Sequence, residues 1–289
     1  MFAIAVEQGQ YKAYTLSNPT TNTSLQIIPE RGGIVTRWRV QGQEIFYLDE
    51  ARLTDPTLTV RGGIPVLFPI CGNLPDNTYT YNGQSYTLKQ HGFARELPWE
   101  VIDQATGDRG SLTLSLTSND QTRAVYPFDF KLFFTYTLDG NTLTVHQRYE
   151  NHSDVPMPFS AGFHPYFSVL DKTQLEVEIP ATHLLDQPTK NTRPFNGIFD
   201  FEQEEIDVAF TELSSQTASV TDRAQGLRLT LTQDDEFSIM VFWTVKGKPF
   251  YCLEPWTAGR NAMNTGDRLL HLAPGASLEI TFTLAVGPV

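Results

Sequence analysis

The sequence predicts an all-β protein, a large antiparallel β-sandwich with few and short helices. Ser111–Thr117 and Leu227–Thr232 alternate leucine with polar residues at a period of two. This alternation is typical of antiparallel strands that bury one face. Asn82 and Asp139 each precede a glycine between such segments, and these pairs are typical of β-hairpin turns. No segment keeps apolar residues at helical spacing over three turns, so we expect helices to be rare.

Short runs rich in threonine, branched aliphatic and aromatic residues recur along the whole chain, and each is a predicted strand. The clearest runs are Leu25–Ile28, Ile34–Val40, Trp99–Ile102, Ser111–Thr117, Lys131–Leu138, Thr142–Tyr149, Leu175–Ile179, Leu227–Thr232, Phe237–Val245, Phe250–Leu253 and Ser277–Val286. No repeat or linker separates them, so we expect residues 1–289 to form a single β-sandwich domain. Gln187–Glu205 mixes proline, asparagine, glycine and acidic residues, which predicts a long surface loop of the kind that often carries function.

The charge of the chain excludes some partners. Its 289 residues include 21 lysines and arginines against 33 aspartates and glutamates, a formal net charge of −12. Such a chain, without a basic cluster, is a poor ligand for nucleic acid or anionic membranes. The N-terminus lacks the basic region of a signal peptide, and no apolar run approaches the roughly 20 residues that span a bilayer. We therefore expect a cytoplasmic protein in which Cys71 and Cys252 are reduced thiols.

A histidine fixed by its neighbours is the first candidate for chemistry. His164 precedes Pro165 within Ser160–Phe167, a run of aromatic and small residues. A residue before proline is biased towards an extended backbone, so His164 is predicted at the end of a strand. A fixed imidazole in a partly apolar setting can act as an acid or base near neutral pH. A lone histidine of this kind is more often a structural core residue, so the interpretation depends on the rest of the chain.

A glutamate in the same arrangement is the second candidate. Glu254 precedes Pro255 and follows an apolar run, so its carboxylate is predicted at a strand end, partly removed from water. Burial raises the pKa of a carboxyl group, whereas a nearby cation lowers it. A structural ion pair would also explain this glutamate. The shared arrangement of His164 and Glu254 favours a functional pair.

The segment Val60–Asn73 is apolar but interrupted by prolines and glycines. We predict a buried, irregular segment that forms a wall of a site. Arg61 near its start would offer a charged donor to the oxygen atoms of a ligand. A structural ion pair with a carboxylate is an equally good explanation for Arg61.

The segment Gln90–Trp99 places His91 and Arg95 around a glycine and a phenylalanine. Aromatic faces beside histidine and arginine donors are what sugar sites are made of, because a pyranose has an apolar C–H face and a rim of hydroxyls. An ordinary core segment leading into a strand would have a similar composition.

Other classes of chemistry lack support in the sequence. The six histidines show no metal-ligand spacing, and the two cysteines do not form a zinc motif. A nucleophile elbow and a phosphate-binding glycine loop are absent too. What remains is one imidazole and one carboxylate, which we expect to converge on a polyhydroxylated ligand and to move protons without a cofactor.

Four motifs together resemble one known family. Arg61–Pro65, His91–Arg95, Phe163–Phe167 and Cys252–Pro255 occur in this order, and the sequence resembles the aldose 1-epimerase (galactose mutarotase-like) family over essentially its whole length. The resemblance implies a β-supersandwich fold, a small-molecule sugar substrate, a monomer or homodimer, and neither a metal nor an organic cofactor.

The resemblance also implies roles for individual residues. His164 would be the general acid that protonates the ring oxygen of the sugar, and Glu254 the general base that takes the proton of the C1 hydroxyl. The implied substrate-binding residues are Arg61, His91, Arg95 and Asp207. With an ionised glutamate beside it, His164 would need only a modest upward shift of its pKa to remain an acid at neutral pH.

The motifs leave two substrates open. One branch of the family acts on hexose 6-phosphates and holds the phosphate with arginines, and Arg61 and Arg95 are similar to that branch. Pro165 is similar to the branch that acts on free aldoses, and Asn73 stands where many relatives carry an arginine. We expect a free aldohexose, with glucose 6-phosphate as the alternative. A non-catalytic carbohydrate-binding protein on the same fold is the alternative of another class, although it would not need the His164–Glu254 pair.

Overall fold

Antiparallel strands make up nearly all the regular structure of the computed structural model, which describes residues 1–289, and the all-β prediction is confirmed. The first strands are β1 Ala3–Gln8, β2 Lys12–Asn18, β3 Thr23–Ile28, β4 Ile34–Val40, β5 Gln43–Glu44, β6 Val66–Leu67, β7 Thr78–Tyr81, β8 Gln84–Thr87, β9 Glu100–Ala105, β10 Gly110–Thr117, β11 Phe130–Asp139 and β12 Thr142–Asn151. The later strands are β13 Met157–Phe159, β14 Gly162–Phe163, β15 Tyr166–Ser168, β16 Leu175–Glu178, β17 His183–Asp186, β18 Thr192–Pro194, β19 Glu205–Phe210, β20 Thr217–Asp222, β21 Leu227–Gln233, β22 Ile239–Val245, β23 Phe250–Trp256, β24 Leu270–Leu272 and β25 Ser277–Pro288. The helices are short: α1 Glu50–Thr54, α2 Asp120–Val125, α3 Ala262–Thr265, and 3₁₀ turns at Pro29–Arg31, Pro75–Asn77 and Lys172–Gln174.

Two eight-stranded sheets form the body of the molecule. The first, here called the long-strand sheet, has the order β16-β20-β21-β25-β12-β11-β10-β9. The second, here called the site sheet, has the order β18-β17-β19-β22-β23-β14-β6, with β15 also paired to β23. A five-stranded sheet runs from β1 to β5 in chain order, and two small ribbons, β7-β8 and β13-β24, complete the fold.

The two large sheets pack face to face through aromatic side chains. Phe163 of β14 packs against Phe134 of β11 and Phe282 of β25, with ring centroids 5.6 and 4.7 Å away. These residues belong to a continuous cluster of 60 buried apolar residues that extends from Phe2 to Val286. Burial alternates strictly along Phe130–Leu138, because only one face of β11 meets the core.

The strands predicted from period-two alternation match the structure closely, and β4 matches at both ends. Trp99 does not start its predicted strand: β9 begins at Glu100, and the Trp99 ring packs instead against Phe134 with centroids 4.8 Å apart. The segment Val60–Asn73 is irregular apart from β6 and is buried from Gly62 to Gly72, as predicted. None of the helices has the length and apolar character needed to cross a membrane.

Two glycines with positive φ angles provide a test of this packing. Gly63 has φ of +58°, and a Cβ atom there would lie 1.9 Å from the carbonyl oxygen of Val35, whereas Gly83 has φ of +77° and open space around it. Alanine at Gly83 should cost about 1–2 kcal/mol for its left-handed backbone. Gly63→Ala should lower the free energy of unfolding by at least about 2 kcal/mol more than Gly83→Ala does, because the backbone at Gly63 or Val35 must also move to make room for the methyl group. Urea denaturation measures the free energy of unfolding of both variants. Equal losses of stability would contradict the close contact between Gly63 and Val35.

Candidate functional site

The candidate site lies on the face of the site sheet that points away from the sandwich core. Phe163 points into the core, and side chains alternate along a strand, so its neighbour His164 points to the opposite face. A cavity of about 480 Å³ opens on that face, and His164 is among its lining residues. Glu254 and Arg61 line the same cavity.

Strand register explains why His164 and Glu254 meet. Gly162 of β14 pairs with Trp256 of β23, and Tyr166 of β15 pairs with Cys252 of the same strand. Both pairings follow one antiparallel register, which sets the intervening His164 opposite Glu254. Residues opposite each other project to one face of the sheet. Their side chains accordingly converge, with 3.4 Å between His164 Nε2 and Glu254 Oε1.

The structure corrects the prediction that Glu254 sits at a strand end and is only partly desolvated. Glu254 lies inside β23 and is 1% exposed. Its strand continues because β22 pairs with it along its length, including Val241 opposite Glu254. The missing N–H of Pro255 is tolerated, because at this point β23 has no strand partner on the side of β14 and β15. His164, by contrast, directly follows the end of the short strand β14, as predicted.

Aromatic rings fix the imidazole of His164. It stacks on Tyr166 with centroids 4.7 Å apart and an interplanar angle of 11°, and it meets the edge of Trp243 at 5.5 Å. Its backbone N–H donates to the carbonyl oxygen of Pro65 at 3.1 Å, while its side-chain Nδ1 atom has no hydrogen-bond partner. Glu254 is held through its second oxygen, which accepts a hydrogen bond from the indole N–H of Trp256 at 3.1 Å.

Burial sets the protonation of the pair. It raises the pKa of Glu254 well above its usual value, with the charge of Asp207 adding to the effect. Burial, together with the positive charge of Arg95, lowers the pKa of His164 to about 3. Both pKa shifts contradict the sequence-based expectation of an ionised glutamate beside a protonated histidine. Desolvation outweighs the mutual attraction of the charges, so the neutral acid and the neutral imidazole are favoured.

His91 stands beside the pair as a neutral donor. Its ring lies 5.6 Å from that of His164, and its Nδ1 atom accepts a hydrogen bond from the backbone N–H of Gly72 at 3.0 Å. Because Nδ1 accepts, the proton of the neutral ring is on Nε2. The side-chain amide of Gln90 lies 3.3 Å from this atom, at the wall of the same pocket. Burial lowers the pKa of His91 well below its usual value, with Arg95 contributing. The backbone of His91 has φ of +66°, a left-handed conformation that turns the chain into the pocket wall.

Asp207 reaches the pocket from β19 through the same register. It pairs with Trp243 of β22, and Val241 two residues earlier pairs with Glu254, so Asp207 lies on the face that carries Glu254. Arg260, in the loop after β23, donates from Nη2 to Asp207 Oδ2 at 2.7 Å. The pKa of Asp207 is raised, because burial outweighs the lowering effect of this arginine.

Arg61 and Arg95 line the pocket without forming an ion pair. Arg61 is exposed, and the carbon of its guanidinium is 6.0 Å from the ring centroid of Trp243. Arg95 donates from Nη2 to the carbonyl oxygen of Gln90 at 2.8 Å, and its buried Nε atom has no partner. The structural ion pair considered for Arg61 is therefore absent. Both guanidinium groups keep donors for a ligand.

All six residues singled out from the sequence, Arg61, His91, Arg95, His164, Asp207 and Glu254, line this cavity. The sequence did not identify Arg260 or the aromatic walls Tyr166, Trp243 and Trp256 as site residues. Their positions relative to His164 and Glu254 gave a partial signal, since Tyr166 and Trp256 each lie two residues away and so share a strand face. The long segment predicted to carry function contributes only its last residue, Glu205, to the cavity.

The pocket includes one group of atoms with metal-ligand spacing. Atoms of His164, Cys252 and Glu254 lie within 4.8 Å of one another. Burial raises the pKa of the Cys252 thiol, so the thiolate a metal requires is disfavoured. Arg61 and Arg95 add positive charge beside the group, which also opposes a divalent cation. We therefore assign no ion to this group. Cys252 and Cys71 are separate, buried thiols.

Solved structures define the class of fold. The crystal structure of the Slr1438 protein from Synechocystis sp. PCC 6803 matches with a TM-score of 0.95 and 43% identity, and the match covers 100% of both chains. A galactose mutarotase-like protein from Clostridium acetobutylicum matches with a TM-score of 0.85 and 18% identity, covering 100% of this chain and 99% of the other. The protein is thus a β-sandwich of the galactose mutarotase-like class, as the sequence predicted.

The family follows from the sequence match. The family model described as aldose 1-epimerase matches residues 12–285, and the chain belongs to this family. The chromosomal LacX protein of Lactococcus lactis subsp. lactis is 26% identical over 242 residues, 72% of this chain and 78% of its own length. A Salmonella typhimurium relative named "Putative glucose-6-phosphate 1-epimerase" is 27% identical over 159 residues, 54% of this chain and 49% of its own length.

Protonation of His91 should destabilise the folded state as the pH falls. Its pKa is about 6.5 in an unfolded chain and well below that value in the fold. Below about pH 6.5 the unfolded state therefore binds a proton that the folded state does not, and the free energy of unfolding decreases as the pH decreases, by up to about 1.4 kcal/mol per pH unit. His91→Asn can still accept the hydrogen bond of Gly72 but takes up no proton, so its stability should depend less steeply on pH.

Urea denaturation between about pH 6.5 and 4.5 measures this slope. His183→Asn replaces an exposed histidine and serves as the matched control, which should retain the wild-type slope. A slope in His91→Asn as steep as that of the control would show that His91 is not the residue responsible.

Proposed function

We propose that the protein is an aldose 1-epimerase that interconverts the α and β anomers of an aldohexose by opening and closing the sugar ring. The observation that carries the proposal is the buried pair formed by His164 and Glu254, whose Nε2 and Oε1 atoms are 3.4 Å apart in the pocket. One of these groups can give a proton while the other takes one. Membership of the aldose 1-epimerase family supports the same reaction class.

In the proposed opening step, the carboxylate of Glu254 accepts the proton of the C1 hydroxyl while the imidazolium of His164 donates a proton to the ring oxygen. The bond between C1 and the ring oxygen breaks, and C1 becomes an aldehyde carbonyl. Rotation about the bond between C1 and C2 exposes the other face of the carbonyl. The reverse proton transfers then close the ring to the other anomer. Acid and base each contribute typically 10²–10⁴-fold to the rate.

The pair needs no net proton from solvent during this cycle. Transfer of the proton of Glu254 to His164 converts the neutral pair into the imidazolium and carboxylate that act on the sugar, and ring opening leaves a neutral imidazole and a carboxylic acid. Both forms hold the same number of protons. Burial favours the neutral form, since it raises the pKa of Glu254 and lowers that of His164. Once the ion pair has formed, ring opening therefore returns the pair to its more stable protonation state.

The remaining wall of the pocket suits a pyranose. Trp243 and Tyr166 offer aromatic surface for the C–H face of the ring. The Nε2–H of His91 and the oxygens of Asp207 are a donor and an acceptor for hydroxyl groups. Exposed Arg61 stands where it could contact a substituent at the far end of the sugar.

Replacing either member of the pair should nearly abolish turnover. We expect His164→Asn and Glu254→Gln each to lower kcat/KM at least about 100-fold, because each removes a proton carrier and keeps a similar shape. The measurement is anomer exchange followed by NMR on glucose, galactose and glucose 6-phosphate. His183 is not among the lining residues of the pocket, so His183→Asn is the control for a histidine exchange and should keep wild-type activity.

The wild-type assay separates the proposed function from its alternatives. A protein that accelerates exchange of none of these sugars over buffer would not be an epimerase acting on them. Binding of a sugar without acceleration would instead support the non-catalytic carbohydrate-binding protein. Full activity in His164→Asn or Glu254→Gln would remove that residue from the role assigned to it.

Two substrates are candidates for this pocket, and each has its own support. Pro165 and Asn73 favour a free aldohexose, as argued from the sequence. Glucose 6-phosphate is the second candidate, because Arg61 and Arg95 stand in the pocket without an ion pair, and the Salmonella relative carries that activity in its name. Guanidinium groups with free donors are well suited to a phosphate.

Arg61→Gln distinguishes the two substrates. If the enzyme acts on the phosphorylated sugar, loss of one charge-assisted hydrogen bond should raise KM for glucose 6-phosphate about tenfold or more while KM for glucose changes little. The KM values of both sugars, measured by the same NMR exchange assay, provide the comparison. Equal changes for the two sugars would contradict a phosphate contact at Arg61 and favour the free aldohexose.

A further inference from the structure

We propose that Arg260 is a positioning residue, which clamps Asp207 to Asn73 and so keeps the His164–Glu254 pair able to hold its single shared proton over the working pH range. The kinetic part of this inference rests on the proposed function. The clamp itself does not, and it can be tested without turnover. Arg260 lies outside the motifs that carry the family resemblance, and its role emerges from the folded geometry alone.

The geometry of the clamp joins three separate segments. Arg260 donates from Nη2 to Asp207 Oδ2 at 2.7 Å and from Nη1 to Asn73 Oδ1 at 2.9 Å. The side chains of Arg260 and Asp207 are only 22% and 14% exposed, so the ion pair is shielded from solvent. A Cβ atom at Gly72 would lie 2.4 Å from Arg260 Cγ, so a glycine is needed for the arginine to pass.

The charge of Asp207 would otherwise disturb the catalytic pair. Among the groups near Glu254, Asp207 is the charge that most strongly raises the pKa of its carboxyl group, second only to burial. Arg260 has the opposite effect on Glu254, and it lowers the pKa of Asp207 directly. Because the two charges form one close pair, the field of Arg260 offsets part of the field of Asp207 at Glu254. Asp207 can then stay available to sugar hydroxyls without holding Glu254 permanently protonated.

Other groups near the pair do not replace this arginine. The ionisable groups that face His164 or Glu254 besides the clamp are Arg61, Arg95, His91, Tyr166, Cys71 and Cys252. Burial keeps the thiols and the phenol uncharged and leaves His91 neutral. Arg61 and Arg95 carry positive charge but contact no pocket carboxylate. Of these arginines, only Arg260 touches Asp207.

The pH profile of kcat/KM tests the kinetic part. In Arg260→Gln the charge of Asp207 is uncompensated. The pair should then lose its shared proton only at higher pH and should take up a second proton already at higher pH, so both limbs of the profile should move to higher pH by about one unit. At a fixed pH on the acid limb, this shift corresponds to roughly a tenfold loss of kcat/KM. Arg260→Lys keeps the charge but not the two-pronged geometry, so the limbs should return while kcat/KM stays below wild type.

A matched variant distinguishes the charge of Arg260 from its role in positioning Asp207. Asn73→Ala removes one contact of the clamp and leaves the charge of Arg260, so the limbs should stay in place while KM rises through a poorly held Asp207. If Arg260→Gln instead lowers the rate equally at every pH with unmoved limbs, the residue is merely structural and the proposal is overturned.

A titration without substrate tests the clamp independently. Carboxyl ¹³C NMR of selectively labelled glutamate, with the Glu254 signal assigned from Glu254→Gln, should show Glu254 titrating at higher pH in Arg260→Gln than in wild type, and close to wild type in Arg260→Lys. An unchanged titration would overturn the proposal. If the wild-type protein fails to exchange anomers, the proposed function fails alone, and this titration still decides the role of Arg260.

Discussion

The common register of β14 and β15 against β23 is the constraint on which the site depends. The two short strands pair with β23 on either side of a break, and the break holds His164 opposite Glu254. A continuous strand there would commit its backbone N–H groups to the ladder, but the N–H of His164 bonds instead to Pro65. The sheet itself therefore sets the 3.4 Å approach of acid and base. Loop flexibility has little influence on their distance, which suits groups that must act together.

Burying two ionisable groups is unfavourable unless their charges are removed or paired. Here both outcomes are accessible with the same number of protons, because a shift of one proton over a short distance converts a neutral pair into an ion pair. Trp256 donates to Glu254 in either state, while Nδ1 of His164 lacks any partner. An unsatisfied buried nitrogen is costly in a structural residue and more easily understood in a residue selected for proton transfer.

The sequence predicted the strands with one buried face well, because period-two alternation directly reflects that burial. It failed at the end of β23, where all of Phe250–Trp256 is buried and the alternation disappears. Without alternation, Pro255 was the only visible signal, and it suggested a strand end that the pairing with β22 overrides. The motifs and the resemblance pointed to Arg61, His91, Arg95, His164, Asp207 and Glu254. Arg260 instead depends on contacts with Asp207 and Asn73, 53 and 187 positions away in the chain. Contacts between residues so far apart in the chain produce no local pattern in the sequence.

Charge in the pocket differs in sign from charge over the whole chain. The protein carries a formal net charge of −12, yet four arginines, Arg52, Arg61, Arg95 and Arg260, line the cavity against three acidic residues, Glu205, Asp207 and Glu254. Positive charge opposes protonation of His164 and favours ionisation of Glu254, so the arginines alone would move the pair towards losing its proton. Burial and Asp207 act on Glu254 in the opposite direction. The single proton that ring opening requires is thus retained by a balance of opposing fields, and any ligand that brings negative charge to Arg61 or Arg95 strengthens the hold of the pair on that proton.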